Sequence, residues 1–409
     1  MRLASFVSLL CLLLKGFQTI EATDISNYDP YRRLAPYNAD FAFRLFKNLA
    51  TLNPKKDVLI SPFSISMTLS MLTLGADKES SSQLFNSLGF DLNEMPEFYI
   101  HESFLQISEL LRESNSSLKM SMGSTLFHNY SLDIRKVFPE DAQSYYGLEN
   151  LPYKFLAWIP PSSQINEYLK QKTQRQTSDL FLEIESPEAI ILINYIFFSG
   201  TWEKAFNPEN TELADFFLDD GSIVRVPMMY QSNEFMYLYD SRLKCFVVQL
   251  EYIGSAAAFF ILPNSKKMDT VIQGLSQDTL KNWGLSVMSS NVDLYIPKLS
   301  LSGIYELDKI LKALGLEDLK TNHTNPHKNK STVQKLTKMI FKSDLQLSEN
   351  GKVAPAKVSS TTEQRVAPAL FFNRPFIILV FDHISWNSIF LAKVMNPQNH
   401  LAIGGHGAH

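Results

Sequence analysis

The sequence predicts an α+β fold, with helices gathered in the first half of the chain and antiparallel sheets in the second. Three observations carry this: helical apolar spacing dominates to about residue 180, strand-like runs follow from Ala189, and the 409 residues are 45% hydrophobic against 20% charged. That composition belongs to an ordinary globular core, neither disordered nor fibrous. Helices followed by strands point to segregated layers rather than an alternating α/β sheet. A net charge of −4 lacks the one-sided basic field of a nucleic-acid binder, so no nucleic-acid partner is expected.

The chain opens on Met1-Arg2, an apolar run from Leu3 to Leu14, and a polar stretch closing on Ala22. This is the layout of a secretory signal over residues 1–22. The run is shorter than the roughly 20 residues a bilayer-crossing helix needs, so membrane insertion is not expected and the mature chain, 23–409, reads as one extracellular domain. Four acceptor patterns for N-linked glycan, at Asn115, Asn129, Asn322 and Asn329, agree with that route. The two cysteines are Cys11, which leaves with the signal, and Cys245. The mature chain therefore has no internal disulfide and must rely on its core. Cys245 sits in the strand-like run Leu243 to Leu250, which favours a buried structural thiol over a nucleophile.

After a polar tail from Thr23 to Arg33, Phe41, Phe43, Leu45, Phe46 and Leu49 mark a helix starting at Asn38. Asp57 to Pro62 reads as a short strand stopped by proline, and Ile65 to Leu74 as an apolar helix ending at Gly75. Ser162 to Lys172 is amphipathic. Strands are expected at Ala189 to Phe198, Ser222 to Met229, Lys244 to Glu251, Ala256 to Leu262, Val292 to Leu301, Pro375 to Phe381 and Ser388 to Met395. Between two strand-like segments, Ser348 to Leu370 is small, polar and unpatterned. A connection of that length inside a compact domain is usually functional or disordered.

Several segments carry a family likeness. Asn38-Ala39-Asp40-Phe41-Ala42-Phe43, Ile60-Ser61-Pro62-Phe63-Ser64-Ile65-Ser66 and Asn194-Tyr195-Ile196-Phe197-Phe198-Ser199-Gly200-Thr201-Trp202 are followed in order by Val226-Pro227-Met228-Met229, Tyr295-Ile296-Pro297-Lys298 and Phe372-Asn373-Arg374-Pro375-Phe376. From about Leu34 to Pro397 the chain resembles the serpins, of the antitrypsin-like branch. Val292 to Lys298, Phe381-Asp382-His383 and Leu391 to Pro397 resemble a hormone carrier of that branch more than its inhibitors. The resemblance implies helices packed on three β-sheets with an exposed reactive-centre loop at about 350–370, a monomer, and an extra tail at about 398–409.

An inhibitory serpin offers this loop to a protease, and cleavage lets it insert as a new strand in the main sheet. Carried onto this sequence, the hinge is Glu349, Gly351, Lys352, Ala354, Pro355 and Ala356. Counting from Gly351 places the reactive bond at Arg365-Val366, while counting back from Phe372 points to Gln364. Arginine before the bond suits a trypsin-like serine protease. The resemblance also implies a bridge between Glu349 and Lys298 beside Trp202. The hinge departs from the inhibitory pattern: Lys352 would carry a charge under the closing sheet, and Pro355 would lack a ladder donor inside a central strand. Ser61, Ser64 and Asn194 match the polar cluster beneath the sheet, but its histidine is replaced by Phe341, and Arg175 stands where a glycine is expected. These departures predict a non-inhibitory, substrate-like serpin, with functional inhibition of a trypsin-like protease as an alternative.

The second alternative is a carrier of a small, steroid-like apolar ligand. Matching positions are Gln249, Gln277, Leu280, Lys281, Phe381, His383 and Trp386, with Gln277 standing where an arginine is expected. An indole face and a few placed polar groups are what such a pocket requires. The basic set Lys328, Lys330, Lys335, Lys338 and Lys342 reads as a solvated charged face. No cofactor and no metal site are expected, since His406 and His409 lie in a glycine-rich tail. The sequence holds no phosphate-cradling loop, paired-histidine zinc motif or nucleophile elbow, so it is not read as an enzyme.

Overall fold

A computed structural model describes residues 30–113, 118–130, 140–153, 161–173, 180, 184, 189–316, 336–351 and 368–400. The signal segment, the tail beyond residue 400, Asn115, Asn322, Asn329 and the loop from Lys352 to Ala367 lie outside these residues.

A short turn, Pro30–Arg33, leads into α1 (Leu34–Leu52). The helix begins earlier than its aromatic spacing suggests, because Leu34 and Ala35 are already buried. Strand β1 (Val58–Ile60) is followed by α2 (Pro62–Thr73). Ser61 caps α2 by accepting from the Ser64 N–H, and Pro62 takes the first turn, where its missing N–H is harmless. Next come α3 (Lys78–Leu88), α4 (Glu97–Glu113), β2 (Met120–Asn129), α5 (Asp141–Tyr146), β3 (Glu149–Tyr153), α6 (Pro161–Lys172) and β4 (Ile191–Phe198). The second half holds β5 (Glu212–Phe217), β6 (Ile223–Asp240), β7 (Cys245–Glu251), β8 (Ala256–Pro263), α7 (Met268–Gly274), α8 (Gln277–Ser286), β9 (Met288–Pro297), β10 (Leu299–Glu306), α9 (Leu307–Leu314), β11 (Lys338–Leu347), β12 (Ala369–Phe371), β13 (Phe376–Asp382) and β14 (Ser388–Val394).

Among the described residues the strands form two hydrogen-bonded systems. One has five strands in the order β10-β11-β4-β2-β3; the other has nine, in the order β1-β14-β13-β8-β7-β6-β9-β12 with β5 on β6. The third expected sheet is merged with the second because β6 is 18 residues long and pairs β5 at one end and β7 at the other. The run Val292 to Leu301, expected as one strand, is two. The chain changes sheets at Lys298, whose N–H donates to the Pro227 carbonyl.

Alternation along β4 splits the core. Leu192, Ile196 and Phe198 enter the main cluster, while Ile191, Ile193 and Tyr195 join Ile165 and Leu169 of α6 in a second cluster. The main cluster joins α1, α2 and α8 to β7, β8, β13 and β14. One lysine is buried deep within it. Lys393, 1% exposed, donates to the carbonyls of Ala50, Asn53 and Pro54 and so caps the end of α1. The basic set is not a uniformly solvated face: Lys342 is 1% exposed and lies 3.5 Å from Asp344 on β11.

Candidate functional site

Three strands and two helices bring most of the candidate ligand residues together. Gln249 on β7 sits opposite Phe259 on β8, and Phe381 on β13 stacks on the Phe259 ring with centroids 5.2 Å apart. On its far side Phe259 meets the edge of Trp283 from α8 at 6.4 Å. His383 packs edge-on against Phe381 at 4.9 Å and places Nε2 2.9 Å from Glu251 Oε2. The other Glu251 oxygen accepts from the Gln249 amide. Glu251 and Phe259 were not read from the sequence. Strand alternation puts Glu251 on the same face as Gln249, which is the signal for Glu251.

Trp386 occupies the turn after β13 at φ +57, a left-handed conformation that is uncommon for a bulky residue. Its surroundings hold it there. The Asp382 carboxylate accepts from the Ser385 N–H at 2.6 Å and from its hydroxyl at 2.7 Å, and the Trp386 N–H donates to the Asp382 carbonyl. Asn387 donates to the Ser385 carbonyl and accepts from Asn38 of α1 at 2.7 Å. The Arg32 guanidinium lies over the indole, 4.9 Å from the ring centre.

Gln277 opens α8, with Ser276 as its cap. Its amide donates to the Pro36 carbonyl at 2.5 Å and so ties α8 to α1. Leu280 and Lys281, a turn later, are half-buried, with Leu280 packed on the main core. The cluster around Phe259 and Phe381 thus combines flat apolar surfaces with a carboxylate–imidazole pair and an amide, and a guanidinium lies over Trp386 in the turn that follows β13. That set suits a flat apolar molecule carrying a few polar atoms. Two surface hollows adjoin the same sheet, one of about 480 Å³ between β5 and Phe371 and one of about 470 Å³ between β6 and α8, with Trp283 in its lining. Among the described residues no group of histidine, cysteine and carboxylate side chains is arranged to hold a metal ion.

The second candidate region is the base of the long loop. β4 and β11 are parallel neighbours in register from Ile191–Lys338 to Phe198–Leu345, so no strand separates them. Beneath this seam the Ser64 hydroxyl donates to Asn194, whose amide donates to Ser124 Oγ at 3.2 Å and to the Gly123 carbonyl at 3.4 Å. Phe341 is 1% exposed and lies across from Asn194. At the top of the seam Lys298 Nζ is 2.9 Å from Glu349, which also accepts from the Thr211 hydroxyl at 3.1 Å. Burial alone would raise the Glu349 carboxyl, but the Lys298 ammonium and these hydrogen bonds hold it below the usual carboxylate value. Trp202 stacks on Tyr252 at 4.0 Å, donates from its indole to the Ser348 carbonyl, and bridges to Gly351. A Cβ at Gly351 would stand 2.5 Å from Ala205 Cα, so only glycine fits this approach.

A family model for serpins, described as serine protease inhibitors, matches residues 36–397. The chain belongs to the serpin family. It is 46% identical to corticosteroid-binding globulin of Ovis aries, over 97% of this chain and 94% of that protein, and 43% identical to the Homo sapiens protein, over 97% and 100%. Among solved structures it is similar to human thyroxine-binding globulin in complex with thyroxine, with a TM-score of 0.77, 28% identity, and 90% and 100% of the two chains covered. Human glycosylated kallistatin gives a TM-score of 0.79 at 34% identity, with 90% and 99% covered.

In this serpin, of the hinge positions only Glu349 and Gly351 lie within the described residues. Lys352, Ala354, Pro355, Ala356, Arg365 and Val366 fall outside them. Asn129 closes β2, paired with Tyr153, and is followed by Tyr130 at 72% exposure. Cys245 is fully buried, and burial pushes its thiol up to about 12, which leaves no reactive thiolate at neutral pH. No helix among the described residues is long and apolar enough to cross a membrane.

Proposed function

We propose that this serpin is an extracellular carrier of a corticosteroid-like ligand, bound where α1 and α8 meet the turn after β13. The observation that carries this reading is the convergence of Gln249, Phe381 and His383 in one cluster, followed by the turn that carries Trp386, whose neighbour Asn387 accepts from Asn38 of α1. The extensive identity to proteins named corticosteroid-binding globulin supports it. The aromatic surfaces contribute apolar contact, and the His383–Glu251 pair and Gln249 offer polar atoms that would orient a steroid. Equilibrium dialysis of the mature protein against labelled cortisol tests the reading. Saturable one-to-one binding, weakened in Trp386→Ala, is expected; no saturable binding at micromolar protein rejects it.

The same reading includes a loop that a trypsin-like protease cuts without being trapped. The closed β4–β11 seam would have to admit Lys352 and Pro355 as strand residues. A buried unpaired charge and a missing ladder donor both oppose that step.

A further inference from the structure

The indole of Trp386 is already stacked. Arg32, in the turn Pro30–Arg33 ahead of α1, sets its guanidinium carbon 4.9 Å from the centre of the ring, within cation–π range. A guanidinium is planar and stacks on aromatic faces, so it takes the place that a flat ligand would take. The turn that carries the indole is held in place. Its left-handed backbone is fixed by Asp382, Ser385 and Asn387, and Asn387 is bonded to Asn38. Asn38 lies on the helix that follows Arg32, so one element positions both the indole and the cation over it. The same stretch receives the Gln277 amide at Pro36. The helix α8 position where an arginine is expected is thus used as a tie, and the guanidinium of the site comes from ahead of α1 instead.

Resting on the carrier reading, we infer that Arg32 is a built-in occupant of the ligand site, and that a flat apolar ligand binds by displacing its guanidinium from the face of Trp386. Binding exchanges the cation–π contact with Trp386 for stacking of the ligand on the indole. The displaced guanidinium keeps its charge and turns toward solvent. Arg32 therefore lowers the affinity of every ligand that stacks on the indole by the same amount, and such a ligand binds there only where its stacking outweighs the contact it replaces.

Titration of tryptophan emission with cortisol, on the full mature protein, tests this. Arg32→Ala is expected to bind at least about two- to fivefold more tightly, the ratio equivalent to the ~0.5–1 kcal/mol at the low end of cation–π contacts. Arg32→Gln, which keeps a long polar side chain without the charge, is expected to gain likewise. In the Trp386→Phe background the gain from Arg32→Ala should shrink, because the weaker ring holds the cation less well; a merely structural role for Arg32 would not depend on the ring. Unchanged or weaker binding by both Arg32 variants overturns the inference and leaves the carrier reading standing. Absence of saturable binding by the unmodified protein overturns both.

Discussion

Phe341 of β11 lies directly across from Asn194 of β4 in the parallel seam of the five-stranded sheet. Asn194 finds its partners in Ser64, Ser124 and the Gly123 carbonyl, while Phe341 joins the apolar core. The seam is thus closed by an apolar ring where the family pattern has a histidine. Phe341→Ala should cost about 3–5 kcal/mol through the cavity it leaves, read as a lower urea midpoint with an unchanged slope. A loss under about 1 kcal/mol would mean that Phe341 is not packed as described.

The bridge at the top of the same seam gives a pH signature. Glu349 is held below the usual carboxylate value, so its contribution is full above that value and is lost as the pH falls through its lowered folded value. Lys298→Met should lower stability at pH 7 by about 0.5–1 kcal/mol, since Lys298 is half exposed. The difference from the unmodified protein should close as melting is followed down through the carboxylate range. A difference that persists unchanged at low pH would assign the effect to packing alone.

Cys245 provides a check on the nine-stranded sheet. With its thiol pushed up to about 12 by burial, it should ignore a thiol reagent at pH 8 in the native protein and react fully in urea. Native-state labelling at the rate of a free thiol would show that β7 is not buried as described.

Much of this was legible in the sequence, and the gaps have physical causes. Ser61-Pro62 announces the start of α2, but the spacing from Ile65 hides the turn before it because the whole helix is buried. Val292 to Leu301 looks continuous since both strands are apolar; only the tertiary bond from Lys298 to Pro227 shows where the chain leaves one sheet for the other. Strand β2 carries serines, threonine and glycine that blur its alternation. In the site, Phe381, His383 and Trp386 were named through the resemblance to a hormone carrier. Phe259, Trp283 and Arg32 come from β8, α8 and the turn before α1, and only the fold sets Phe259 on Phe381, Trp283 against Phe259 and Arg32 over Trp386.

The loop can be tested apart from the ligand. Trypsin is expected to cleave after Arg365 without forming a complex that survives a denaturing gel, and the cut protein should gain no thermal stability. Lys352→Thr combined with Pro355→Ala should restore part of both, because these changes remove the buried charge and return the ladder donor. A stable complex formed by the unmodified protein would make it an inhibitor.

The most direct test of the carrier account is a crystal structure of the mature protein grown with cortisol. The account places the steroid between α1, α8 and the turn after β13, with its ring system on Trp386, a polar end near His383 or Gln249, and Arg32 moved off the indole. Ordered steroid in either of the two other hollows, or none at saturating concentration with Arg32 still stacked on Trp386, would contradict it.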